Sequence, residues 1–215
     1  MNPEQFLIRW QKETLPLVAI LRGITPDQAV AAAQTLLACG FRYLEIPLNS
    51  PTPLESIRLM RDVVGNRGYV GAGTVLKPQQ VEQVAEYGGQ LIISPNCNPA
   101  VIRRACELGL ISIPGVMTPS EAFSAIDAGA SALKLFPAEQ ITPAITKAFR
   151  AVLPPEVACL AVGGIEPDAS QMRGYIRAGA NGFGLGGGLY QGGMDNETLR
   201  ERACAYQQAW RESME

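Results

Sequence analysis

The sequence predicts an α/β fold, a single (β/α)8 TIM barrel with an extra N-terminal helix, occupying residues 1–215 as one domain. Three observations carry that prediction: eight short β-rich runs alternate with amphipathic segments, proline marks the start of segment after segment, and glycine marks their ends.

The β-rich runs are Leu17 to Leu21, Tyr43 to Leu48, Tyr69 to Val75, Leu91 to Pro95, Ile111 to Val116, Ala132 to Phe136, Cys159 to Gly163 and Gly182 to Gly186. Strand alternating with helix calls for a parallel sheet, and eight strands close it. An open doubly wound sheet is the structural alternative, but it usually holds fewer units. Helix starts lie between the runs at Thr25-Pro26-Asp27, Ser50-Pro51-Thr52-Pro53, Lys77-Pro78, Asn98-Pro99, Thr118-Pro119-Ser120-Glu121, Thr142-Pro143 and Glu166-Pro167-Asp168. Proline loses no hydrogen bond at the first helical position, and a neighbouring Ser, Thr, Asn or Asp caps the orphan amides. Thr118 and Glu121 have capping-box spacing. The helices end at Gly40, Gly88, Gly109, Gly129 and Gly179 in a repeated phrase, since glycine past the last turn takes the left-handed cap. Ahead of the first run, Pro3 to Lys12 puts Phe6, Leu7 and Trp10 on one helical face, suited to covering the barrel bottom.

Composition removes several function classes. A net charge of -2 leaves no basic stripe for nucleic acid or an anionic membrane surface. No apolar run is long enough to span a bilayer, and the start Met1-Asn2-Pro3-Glu4-Gln5 lacks a signal-peptide pattern, so the expected compartment is cytoplasmic. Cysteines 39, 97, 106, 159 and 204 are odd in number and scattered, which reads as reduced, mostly core thiols and indicates neither a disulfide framework nor a zinc site. The absence of histidine removes imidazole bases, Ser-His relays and His-ligated metals.

The chain has four lysines against fourteen arginines, and one of the four, Lys134, sits inside the apolar run Ala132-Leu133-Lys134-Leu135-Phe136-Pro137. Burying an ammonium is costly and the group responds by losing its proton, leaving a neutral amine able to form Schiff bases with carbonyls. A strand lysine whose head snorkels into water is the alternative. Glu45 stands alike within Leu44-Glu45-Ile46-Pro47, and two inward charges in one barrel core are expected to meet. A buried ion pair that only aids packing is the competing reading. In a barrel the reacting residues lie at the C-terminal strand ends. Arg22 ends the first run there, and Asn49 and Ser50 follow the second. Glycines at Val162-Gly163-Gly164 and Gly184-Leu185-Gly186-Gly187-Gly188 end the last two runs, where exposed amides cradle a phosphate in many barrels. Gly71-Ala72-Gly73-Thr74 ends the third run and reads equally as a carboxylate site or as a tight strand end.

The motifs Ile20-Leu21-Arg22-Gly23-Ile24-Thr25-Pro26, Glu45-Ile46-Pro47-Leu48-Asn49-Ser50-Pro51, Gly71-Ala72-Gly73-Thr74-Val75-Leu76, Ser94-Pro95-Asn96, Leu133-Lys134-Leu135-Phe136-Pro137 and Ala161-Val162-Gly163-Gly164 together resemble the class I 2-keto-3-deoxy-6-phosphogluconate/6-phosphogalactonate aldolase family. The resemblance is nearest to the galactonate branch. The gluconate branch usually has an arginine-containing loop after its strand-two glutamate and a Thr before the Gly-Gly, where this chain has Leu48-Asn49-Ser50 and Val162.

The resemblance implies reversible cleavage of 2-dehydro-3-deoxy-6-phospho-D-galactonate to pyruvate and D-glyceraldehyde 3-phosphate in D-galactonate breakdown. It implies Lys134 as the imine-forming amine and Glu45 as the base. Thr74 with the amides of Gly71 to Gly73 would hold the pyruvate carboxylate, Pro95 and Phe136 would wall the imine, and Arg22 would reach the polar substrate end. It further implies no metal or other cofactor, and a homotrimer. One departure stands out: the family often has Ser after the last strand's glycines, touching phosphate, where this chain has Gly187-Gly188. The rival readings are the same lysine acting on the C4 epimer or another 2-keto acid, an imine-free phosphate-binding isomerase or synthase that uses Glu45 as base, and a non-catalytic binding barrel.

Overall fold

The computed structural model describes all residues, 1–215. The chain runs α1 (Pro3–Trp10), β1 (Leu17–Ile20), α2 (Pro26–Ala38), β2 (Tyr43–Pro47), α3 (Pro53–Val64), a 3₁₀ turn (Gly65–Arg67), β3 (Tyr69–Gly73), α4 (Pro78–Glu86), β4 (Leu91–Ile93), α5 (Pro99–Glu107), β5 (Ile111–Ile113), β6 (Gly115–Val116), α6 (Pro119–Asp127), β7 (Ala132–Leu135), α7 (Pro143–Val152), β8 (Ala158–Val162), α8 (Ala169–Arg177), β9 (Gly182–Leu185) and α9 (Asn196–Ser213). Every strand pairing is parallel, in the order β5-β4-β3-β2-β1-β9-β8-β7-β6.

The fifth run of the sequence is two strands rather than one. Pro114 has no amide hydrogen to give the ladder, so the run breaks there. β5 pairs with β4 and β6 pairs with β7, and the two edges are joined where the Lys134 amide donates to the Pro114 carbonyl at 2.9 Å. The nine strands therefore occupy eight barrel positions.

Helix punctuation follows the local chemistry. Proline occupies the first turn of α1 through α7. Thr118 and Glu121 form the capping box, and Asn98 and Asp168 accept from amides at the starts of α5 and α8. Gly40, Gly88, Gly109, Gly129 and Gly179 all have left-handed φ values. After α2 the Gly40 amide donates to Leu37 and the Phe41 amide to Leu36, closing a Schellman motif, and the same pair of bonds recurs after α4, α5, α6 and α8. α7 instead ends in extended Leu153, the conformation favoured before Pro154.

Inside the barrel, Val18, Leu91, Ile93, Ile111, Ile113, Ala132, Ala158 and Leu160 fill the lower layers with apolar side chains. α1 closes the floor. Trp10 and Phe6 are buried against Tyr43, and the Trp10 indole donates to the Asn181 carbonyl at 2.8 Å. Gly182 is required beneath it, because a Cβ there would lie 2.7 Å from the indole ring.

The cysteines depart from the expectation of mostly core thiols: Cys39 and Cys159 are buried, but Cys106 and Cys204 are exposed. Their scatter in sequence also conceals one meeting, since the Cys39 and Cys204 sulfurs lie 3.9 Å apart between α2 and α9. No helix is long and apolar enough to cross a membrane.

Candidate active site

With the floor filled, the open space lies at the C-terminal strand ends, in a cavity of about 470 Å³. Lys134 projects into it from β7 and Glu45 from β2, and both are buried. The Lys134 ammonium faces the Phe136 ring at 4.6 Å from its centroid. Burial pushes the Lys134 amine below the ordinary lysine range, with Glu45 pulling it up and Arg22 adding to the downward push. Burial likewise raises the Glu45 carboxyl, against the pull of Lys134 and Arg22. Both groups are thus driven toward their uncharged forms.

The two do not form the direct ion pair expected from their burial. The ion pairs of the structure join Arg58 to Glu55 and Asp62, and Arg104 to Glu82 and Glu107, none involving Lys134 or Glu45. Glu45 Oε2 is buried with no hydrogen-bond partner. Each group instead fronts the cavity from its own strand, because the carboxyl leans over β3. A Cβ on Gly73 would lie 1.4 Å from Glu45 Oε1, so this glycine makes room for the carboxyl.

Arg22, Thr74, Pro95, Phe136, Val162, Gly163, Gly164, Gly186 and Gly187 line the same cavity. Thr74 holds a φ of 56°, rare for a β-branched residue. Three of the residues singled out from the sequence lie off the lining. Asn49 accepts from Arg22 Nη1 at 2.8 Å and so orients that guanidinium. Gly71 serves close strand approach, since a Cβ there would meet the Leu91 carbonyl oxygen at 1.9 Å. Gly73 lies behind Glu45. For Gly71, then, the packing supports the tight-strand reading.

Sequence reasoning also missed residues. Ile20, Ile165, Glu166, Tyr190, Gln191 and Gly192 also line the cavity, and the glycine run already singled out completes the lining through Gly184 and Gly188. Glycines 192 and 193 were the available signal, because the loop carrying Gly192 packs on Gly23, where an added Cβ would lie 3.2 Å from the Gly192 Cα.

The glycine loops after β8 and β9 offer unused donors. The amides of Gly163, Gly164, Gly186, Gly187 and Gly188 make no hydrogen bond within the chain. Neither Gly186 nor Gly187 has a left-handed φ, and a Cβ on either would meet nothing. Neither backbone strain nor packing explains those two glycines; open amides beside a cavity suit an anion.

A family model described as KDPG and KHG aldolase matches residues 8–200. The chain belongs to the KDPG and KHG aldolase family. It is 46% identical over 208 residues, 97% of this chain and 100% of the relative, to 2-dehydro-3-deoxy-6-phosphogalactonate aldolase of Escherichia coli (strain K12). It is 36% identical over 165 residues, 76% of this chain and 75% of the relative, to the KHG/KDPG aldolase of the same strain. A solved structure described as native KDPGal superposes with a TM-score of 0.90 at 47% identity, over 93% of this chain and 96% of that one. Membership makes this KDPG and KHG aldolase relative a carbon-carbon lyase on a barrel fold.

Proposed function

We propose that the chain is a Schiff-base aldolase that cleaves 2-dehydro-3-deoxy-6-phosphogalactonate to pyruvate and glyceraldehyde 3-phosphate. The observation that carries the chemistry is Lys134, a buried amine that forms no ion pair and fronts a substrate-sized cavity beside Glu45. The identity of 46% to a phosphogalactonate aldolase, and Val162 at the cavity wall, support the choice of substrate.

Lys134 Nζ attacks the C2 ketone and loses water to give a protonated imine, which faces the Phe136 ring. Glu45, through a water, takes the C4 hydroxyl proton as the C3–C4 bond breaks and its electrons flow into the imine. The aldehyde leaves, the enamine takes a proton at C3, and hydrolysis frees pyruvate and restores the amine. The unpartnered Glu45 oxygen supports the base role. Thr74, whose amide and hydroxyl make no bond within the chain, would hold the pyruvate carboxylate. Pro95 would wall the imine, and the glycine amides after β8 and β9 would take the phosphate, with Arg22 at the polar end of the substrate. The same reading extends to a cytoplasmic homotrimer.

Incubation with pyruvate and borohydride, followed by peptide mass mapping, tests the proposal. A pyruvyl adduct on Lys134 is expected; a folded protein with no adduct would move the assignment to an imine-free phosphate-binding barrel. Turnover of the two C4 epimers side by side tests the substrate.

A further inference from the structure

The glycine loops that carry the free amides are held from behind by one helix. On α9, Arg202 Nη1 donates to the carbonyls of Gly187 and Gly188, each at 3.2 Å. One turn later the Tyr206 hydroxyl donates to the Ile165 carbonyl at 2.7 Å, gripping the loop after β8. Gln191 Nε2 adds a second donor to the Gly187 carbonyl at 3.2 Å. In a trans peptide the carbonyl and amide point in opposite directions. A Gly187 carbonyl turned toward α9 therefore turns the Gly188 amide the other way, and that amide has no partner in the chain.

Charge enters as well. A guanidinium bonded to a carbonyl polarises the peptide and makes its amide a better donor. Glu166 lines the cavity on the same side and opposes an incoming anion. Glu166 and Arg202 act in opposite directions on the buried Tyr206 hydroxyl between them. The cradle thus contains a carboxylate that needs an offset, and Arg202 is the cation bonded to the glycine loop itself.

We propose that Arg202 is the positioning residue of the anion cradle: from outside the cavity it turns and polarises the Gly187–Gly188 peptide so that the Gly188 amide receives the substrate phosphate, while its bond to the Gly188 carbonyl anchors the loop. This rests on the reading of the glycine loops as the phosphate site. Arg202 touches no substrate atom, and its effect is confined to the phosphorylated end.

The test compares wild type, Arg202→Gln and Arg202→Lys by KM for the phosphorylated substrate, by inhibition with inorganic phosphate, and by borohydride trapping with pyruvate, which carries no phosphate. Arg202→Gln is expected to weaken phosphate inhibition and raise KM by about tenfold, the low end for losing a charge-assisted bond that acts indirectly. Pyruvate trapping is expected to stay at the wild-type level, and Arg202→Lys to recover part of the loss. Unchanged phosphate inhibition in folded Arg202→Gln would overturn the proposal, as would an equal loss of phosphate and pyruvate binding. Failure of the underlying phosphate reading shows in wild type, as no competition by inorganic phosphate at all.

Discussion

Thr74 is the sharpest place to set stability against function. Its φ of 56° puts a β-branched residue in left-handed backbone at the rim of the cavity. That conformation costs an L-residue roughly 1–2 kcal/mol. Thr74→Gly removes the cost but returns about 0.5–1 kcal/mol through the extra freedom of glycine in the unfolded chain. The net expectation is a gain of up to about 1.5 kcal/mol, or a Tm higher by up to roughly 3–6 °C for a chain of this size. The same change deletes a hydroxyl proposed to bind the substrate carboxylate. Losing a hydrogen bond to a charged group costs about 1.5–3 kcal/mol, so kcat/KM should fall by roughly ten- to a hundredfold. Thr52 supplies the control: its φ is 43°, it caps α3 without a side-chain hydrogen bond, and it lies outside the cavity. Thr52→Gly should gain similar stability and keep turnover. Thermal melts and steady-state kinetics on the two variants decide the matter. If Thr52→Gly gains stability while Thr74→Gly melts at or below wild type, the contacts of Thr74 outweigh its strain and the reasoning is refuted.

Lys134→Met should be more stable than wild type near neutral pH and inactive in pyruvate trapping. The sign follows from a depressed lysine pKa: below its folded value the amine is charged in both states and the burial penalty is complete, while above the ordinary 10.5 it is neutral in both and the penalty is gone. Denaturant melts across that range should show the stability difference shrinking as pH rises; a constant difference would contradict it. Val162→Thr places a hydroxyl on the cavity wall and should shift the kcat/KM ratio toward the gluconate epimer by about tenfold, measured with both epimers. Gly187→Ser meets open space and should tighten inhibition by inorganic phosphate without loss of Tm. Gly188→Ser should lower Tm, because its Cβ would fall 2.2 Å from the buried Tyr206 hydroxyl.

The barrel was legible because its punctuation is local: proline entering a helix and glycine leaving it are decided within one turn of chain. The break at Pro114 obeys an equally local rule, yet the apolar run around it masks it. Lys134 and Glu45 were legible because a charge in an apolar strand is anomalous wherever the strand goes. What their types could not convey was spacing. Whether Glu45 bonds Lys134 or leans over Gly73 depends on strand register, Glu45 opposite Gly71, which no local pattern specifies. Asn49 looked like a contact residue and turned out to hold Arg22 instead, since a loop side chain takes its partner from the neighbouring loop. Tyr190, Gln191 and Gly192 were missed for the same reason: the Tyr190 hydroxyl, for one, takes its partner from Gln28, 162 residues away in sequence.

The floor sealed by Phe6 and Trp10 also governs traffic. A barrel plugged at one end is a cup with a single lip, and under the proposed chemistry both products must pass that lip. On that proposal pyruvate would be tethered at depth to Lys134, while the phosphorylated fragment would rest on the glycine loops above it. Departure would then be sequential, with the aldehyde first and the keto acid last. In the synthetic direction the order reverses: pyruvate must already be seated when the aldehyde arrives, and an aldehyde that comes too early stands in its own partner's doorway.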